Sequence, residues 1–199
     1  MKYIQKLKKN KILLLVFTVA VIFFVFGIFF IAFLSNDNQK LVQSSIGEYF
    51  KSFSNYNSYR KSFLGCLSNY LLPNILIWLL GISIIGIPII LLFLVLKSFI
   101  VGFSFTSILY TYGIKGILLG IVYIVPHFVG LFITFILSYY SIQFSLLLWN
   151  YLFRKKEYNK NDIVKRYLKL LFISMVFLVI ISWFEAYVIP LFLKSLIIS

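Results

Sequence analysis

SFIVGFSFTSILYTYGIKGILLGIVYIVPHFVGLFITFILSYYSIQFSLLLWNYLF, residues 98–153, is a run of 56 residues with one full charge, Lys115. A soluble domain cannot keep so long a stretch apolar, because its surface has to meet water and about a quarter of its residues are charged. The solvent for this chain is therefore lipid. A helix crosses a hydrocarbon core of roughly 30 Å with about 20 apolar residues. The run is too long for two plain spans and short for three. Residues 98–112 read as a short span, and Gly113-Ile114-Lys115-Gly116 as a turn. Residues 117–125 then read as a half-length helix stopped by Pro126, with a full span over 127–153. Backbone that breaks at membrane depth must be covered by protein or face water, so the half-helix is expected to be re-entrant.

Outward from this stretch the same reading holds. Residues 1–11 carry five lysines and no acid, and residues 12–34 are an unbroken apolar run of 23. A cleaved signal peptide has an apolar region of only about 7–15 residues and a small-x-small site after it, which is missing here. Residues 70–96 form a span containing Gly81, Gly86 and Pro88, and Lys97 closes it. Residues 170–193 form the last span, interrupted by Glu185 and Pro190. In the polar loop over 35–69, Val42, Ile46, Tyr49, Phe50 and Phe53 recur at helical spacing, and Ser45-Ile46-Gly47-Glu48 has the form of a capping box. This predicts an amphipathic helix at the outer interface, with a partly ordered loop as the other reading. The fold class is all-α: one integral membrane domain over 1–199, a bundle of about five spans at 12–34, 70–96, 98–112, 127–153 and 170–193.

The net charge of +14 does not indicate nucleic acid, because the basic residues flank apolar runs instead of lining a folded face. Seven basic residues fall within 154–169 and five within 1–11, against four, with two acids, in 35–69. Five spans put both dense basic segments on one side. The positive-inside bias then sets the amino end in the cytoplasm and the carboxyl end outside a bacterial cell membrane.

The chemistry-bearing residues are few. The chain has five acids, one histidine and one cysteine, Cys66, so neither a histidine-rich nor a cysteine-based metal site can be built. No Walker loop, His-Glu-x-x-His or Gly-x-Ser-x-Gly occurs, and no cofactor, metal or catalytic set is expected. Asn74, His127 and Glu185 stand out as polar groups within apolar segments. Rise arithmetic places all three in the outer half of the bundle. Either each meets headgroups by itself, or they turn inward together, with His127 and Glu185 within about 10 Å, and shape a docking surface. Gly81, Gly86, Gly102, Gly116 and the prolines read as packing, turn and break positions, Gly116 and Gly120 being a small-xxx-small pair.

Several segments taken in order carry a resemblance. They are NILIWLLGISIIGIP over 74–88, FIVGFS over 99–104, GIKG over 113–116, VPH over 125–127 and EAYVIP over 185–190. Together they resemble the stage II sporulation protein M family, from Asn74 to Pro190. One departure stands: the family often continues Pro-His with Gly and a nearby Glu, whereas Phe128 follows here and no acid occurs before Arg154. A role tied to that Glu is not carried over. The resemblance implies a non-enzymatic membrane scaffold of endospore engulfment. It would localise extracytoplasmic peptidoglycan hydrolases similar to stage II sporulation proteins D and P. The rival expectation is a transporter, or a subunit of one, with Glu185 and His127 lining a path. Ionisable groups near the outer edge favour docking, since transport calls for polar groups near mid-membrane.

Overall fold

In lipid every backbone N–H and C=O needs an internal partner, so apolar runs become helices whatever their β-branched content. The computed structural model describes residues 2–52, 59–154 and 160–192. Among these the chain is all-α, with no strand. Helix α1, Lys2–Phe30, runs into a 3-10 turn at Ile31–Phe33. Leu34 is extended, and α2, Asn36–Ser52, follows at once. Ser35 Oγ accepts the N–H of Asn38 at 3.5 Å, and Asp37 sits in the first turn, where a negative charge suits the helix dipole. The helix therefore starts about ten residues before the expected box. Ser45 lies mid-helix and gives its hydroxyl to the Leu41 carbonyl. Phe50 is fully buried, and Phe53 lies outside the described residues.

The segment read as one span over 70–96 is two helices. Helix α3, Tyr59–Leu80, ends before a turn at residues 81–85, and a new helix starts at Gly86. Tight bonds carry the turn: Ser83 N–H to the Leu80 carbonyl (3.0 Å) and Gly86 N–H to the Ser83 carbonyl (3.2 Å). A Cβ at Gly86 would land on the Leu80 carbonyl. Pro88 then falls in a first turn, where its missing N–H costs nothing. Gly and Pro here mark a stop and restart, and not a kink.

Helix then runs over Gly86–Arg154, folded back at Gly113, whose φ of 58° and ψ of −133° leave the helical region. We label residues 86–112 α4 and 114–154 α5. Gly116 packs on the Ile108 carbonyl and Gly120 on the Phe105 ring, so α4 and α5 form an antiparallel hairpin. The expected turn is present, but two other expectations are corrected. Lys97 does not close a span, and 98–112 is not a separate one: α4 passes through both. The re-entrant half-helix over 117–125 is absent, because α5 stays helical through a buried Pro126. Proline forfeits one bond, to the carbonyl four residues back, and a well-packed membrane helix tolerates that loss.

Helix α6, Lys160–Trp183, continues through a π-turn at Phe184–Val188, where the Ile189 N–H reaches the Phe184 carbonyl. The register shift falls just before Pro190 and carries Glu185 within it. Four stretches are long and apolar enough to cross a membrane: Lys11–Phe33, Phe63–Leu80, Gly86–Tyr151, which the hairpin divides, and Ile163–Phe192.

Helices α1 and α4 run parallel in backbone contact. A Cβ at Gly27 would land on the Phe99 carbonyl, and one at Gly102 on the Phe24 carbonyl. Phe24 and Phe17 meet Phe128 and Phe135, so α5 runs antiparallel to α1. Tyr167, near the start of α6, bonds the Trp78 carbonyl and lies against Gly81, and α4 leaves the 81–85 turn parallel to α1, which sets the start of α1, that turn and the start of α6 at one end. At the other end α2 lies on the hairpin, Phe50 packing with Ile108, Leu119 and Tyr112. Gln39 fastens it by donating to the Ile31 and Leu34 carbonyls and accepting the Tyr110 hydroxyl at 2.7 Å.

Candidate functional site

A carboxylate on an apolar helix is driven inward, where polar neighbours replace the water it loses. Glu185 does this within the π-turn, a feature frequent at functional sites. The Tyr70 hydroxyl of α3 donates to Glu185 Oε2 at 2.6 Å. His127 Nε2 of α5 lies 3.8 Å from Oε1, an ion pair when the imidazole is protonated. The Cys66 thiol, one turn before Tyr70, lies against the same carboxylate. Lys97 of α4 brings its Nζ over the Tyr70 ring, 5.1 Å from the centroid. Tyr123 stacks on His127 at 4.3 Å. Gly130 clears the space that the Tyr70 ring occupies, so a side chain there would displace the Glu185 partner.

Of the three residues singled out in the sequence, His127 and Glu185 come together. Asn74 stands one helical turn further along α3, and its Nδ2 donates to the Tyr70 carbonyl at 2.8 Å instead of to Glu185. Of the packing positions, Gly81 lies under Ser141 and Tyr167, Gly102 at the α1 crossing and Gly116 in the hairpin, while Gly86 and Pro88 restart a helix. The sequence reading missed Lys97, Tyr70, Tyr123 and Cys66. Lys97 was legible in principle: once the chain stops at Gly81 and restarts at Gly86, a lysine eleven residues on falls mid-helix. Tyr70 sits well inside the apolar stretch Phe63–Leu80.

Beside Tyr123 a cavity of about 240 Å³ opens beneath α2, between Ser45, Tyr49 and Phe50 on one side and Ser104 and Ile108 on the other. Among the described residues no three of His, Cys, Asp and Glu gather as metal ligands would. The arrangement is suited to hold or exchange a proton at Glu185.

Against known proteins, the family model described as Stage II sporulation protein M matches residues 20–190. Neither the curated proteins nor the solved structures give a match.

Proposed function

The chain belongs to the stage II sporulation protein M family and is a sporulation-related membrane protein, and on that premise we propose that it is a non-enzymatic scaffold that localises extracytoplasmic peptidoglycan hydrolases during engulfment of the forespore. The observation that carries this reading is the covered end of the bundle. There α2 is fixed across the α4–α5 hairpin and leaves Leu41, Tyr110 and Ile114 exposed, Ile114 at 88%. Fixed surface with exposed apolar side chains suits a protein partner. The starts of α1 and α6, which carry much of the dense basic segments, share the opposite end, which supports a cytoplasmic amino end with α2 outside. The partners are hydrolases similar to stage II sporulation proteins D and P, and Glu185, His127 and Tyr70 hold the helices beneath the platform in register.

Deletion of the gene in its host tests this. The mother-cell membrane should stall at the septum, and tagged hydrolases should spread along the membrane instead of concentrating there. Normal migration with correctly focused hydrolases would remove the scaffold role. A second reading, a membrane path, gains from Lys97. Four groups able to carry or share charge, Lys97, His127, Glu185 and Tyr70, meet among four packed helices.

A further inference from the structure

Beyond the cluster, α3 and α5 lie side by side. Gly130 makes room for Tyr70, and Gly81 makes room for Ser141, at the same offset along the two helices. That register sets Asn74 level with Thr134 and Trp78 level with Ser138. On α5, His127, Thr134, Ser138, Ser141 and Ser145 follow one another at spacings of three, four and seven, so they share one face. The four hydroxyl residues are fully buried. From His127 to Ser145 the helix rises about 27 Å, close to the roughly 30 Å of hydrocarbon.

Hydroxyls in membrane helices often serve packing, bonding their own helix or the next. Two here do so: Thr134 bonds the Gly130 carbonyl (2.9 Å), and Ser145 crosses to the Ser83 carbonyl (2.9 Å). Others are not used in this way. Asn74 Oδ1, Trp78 Nε1 and Ser138 Oγ are buried without a partner, and so is Lys97 Nζ in the cluster above. Asn74 and Ser138 are themselves fully buried. Orphaned polar atoms are rare in a packed interior, and a row of them at successive turns of one seam is where bound water belongs. Below Ser138 the row closes on protein: Ser141 Oγ pairs with the Tyr167 hydroxyl (2.9 Å), which donates to the Trp78 carbonyl (2.7 Å). Ser145 then reaches the turn that holds the exposed Ser83.

We propose that the α3–α5 seam is a proton path through the bundle, with Glu185 as the group that takes up and releases the proton. At one end Tyr123 lines the cavity beneath α2 and stacks on His127, which faces Glu185. At the other, the 81–85 turn opens to water. Facing the carboxylate are Tyr49 from α2, Tyr70 and Cys66 from α3, Lys97 from α4, and Tyr123 and His127 from α5. One proton enters and one leaves; only O–H and N–H bonds are exchanged, and nothing is oxidised. The cargo is a proton because the seam is tight. A Cβ at Gly81 would land on the Tyr167 hydroxyl and one at Gly130 on the Tyr70 ring, which leaves no room for a hydrated ion, while a proton needs only a chain of hydrogen bonds. The proposal is independent of the scaffold role.

The test uses the purified full chain in vesicles of phosphatidylethanolamine and phosphatidylglycerol loaded with pyranine. A potassium gradient clamped with valinomycin drives the flux. The vesicle interior should change pH faster than in protein-free vesicles, since intramembrane Glu and His mark proton relays. Glu185→Gln and Ser138→Val should return to the protein-free rate. Glu185→Asp should retain part of the flux, and Ser107→Ala, buried but away from the seam, all of it. Each variant is first required to elute from size exclusion as the parent does. A parent chain no faster than empty vesicles overturns the proposal, as does a Glu185→Gln chain that conducts like the parent.

Discussion

Tyr70 carries more of the candidate site than either residue the sequence made conspicuous. Its hydroxyl is the direct partner of Glu185, its ring lies under Lys97, and its carbonyl takes the Asn74 amide. Tyr70→Phe keeps the ring and removes the one bond. Hydrogen bonds between membrane helices are worth about 1–2 kcal/mol in peptides and often less in proteins. Thermal unfolding in detergent should therefore show a lowered midpoint, with the detergent-resistant fold retained. A midpoint equal to that of the parent chain would mean that Glu185 is satisfied by other groups. Glu185 and His127 were legible because an ionisable side chain in an apolar run admits few explanations. Tyr70 was not, since it is one of 14 tyrosines and tyrosine is expected at every membrane interface. Lys97 was visible but misplaced, because a lysine after a long apolar run looks like the end of a span.

That misplacement was settled among the elements. The apolar runs showed which segments are helical, and the outer amphipathic helix was read from the period of Ile46, Tyr49 and Phe50. Whether Gly and Pro bend a helix or end it depends on what packs there. Gly81, Gly86 and Pro88 end one, whereas Pro126 interrupts nothing. Gly113 is the decisive residue of the hairpin. A Cβ there meets no atom, yet the backbone conformation is one that other residues hold at a cost of about 1–3 kcal/mol. Gly113→Ala should lower the unfolding midpoint, while Gly65→Ala, equally free of contacts but helical, should be neutral or slightly stabilising. Equal effects would show that the hairpin does not depend on this angle. Gly102→Leu tests a different strain. Its side chain would have to displace the Phe24 carbonyl, so α1 must move away from α4. Overpacking of this kind costs about 1–3 kcal/mol, occasionally more. Disulfide cross-linking of a Phe30→Cys, Phe99→Cys pair, whose rings lie 5.1 Å apart, should become slower in the Gly102→Leu background, and an unchanged rate would contradict the close crossing.

Charge and connectivity together carry the expectation of which way the whole molecule faces. Residues 154–169 hold seven basic residues and 1–11 hold five, and the helices that carry much of these segments begin at the same end of the bundle. Helix α2 lies at the other end, with one acid in its first turn and few basic residues. The positive-inside bias acts on short basic segments next to spans, so both dense segments should be cytoplasmic and α2 should face outward. Two single cysteines separate the outcomes. Asp37→Cys, at the exposed start of α2, should react with an impermeant maleimide in intact cells. Lys165→Cys, exposed near the start of α6, should react only after the cells are opened. The native Cys66 is half-buried against Glu185, so it can remain in place, and the parent chain measures its background. Labelling of Lys165→Cys in intact cells with protection of Asp37→Cys would invert the molecule. It would turn the α2 platform towards the cytoplasm and with it remove the access to wall hydrolases on which the scaffold reading depends. The vesicle experiment would still decide the proton path, because a seam that crosses the bundle conducts in either orientation.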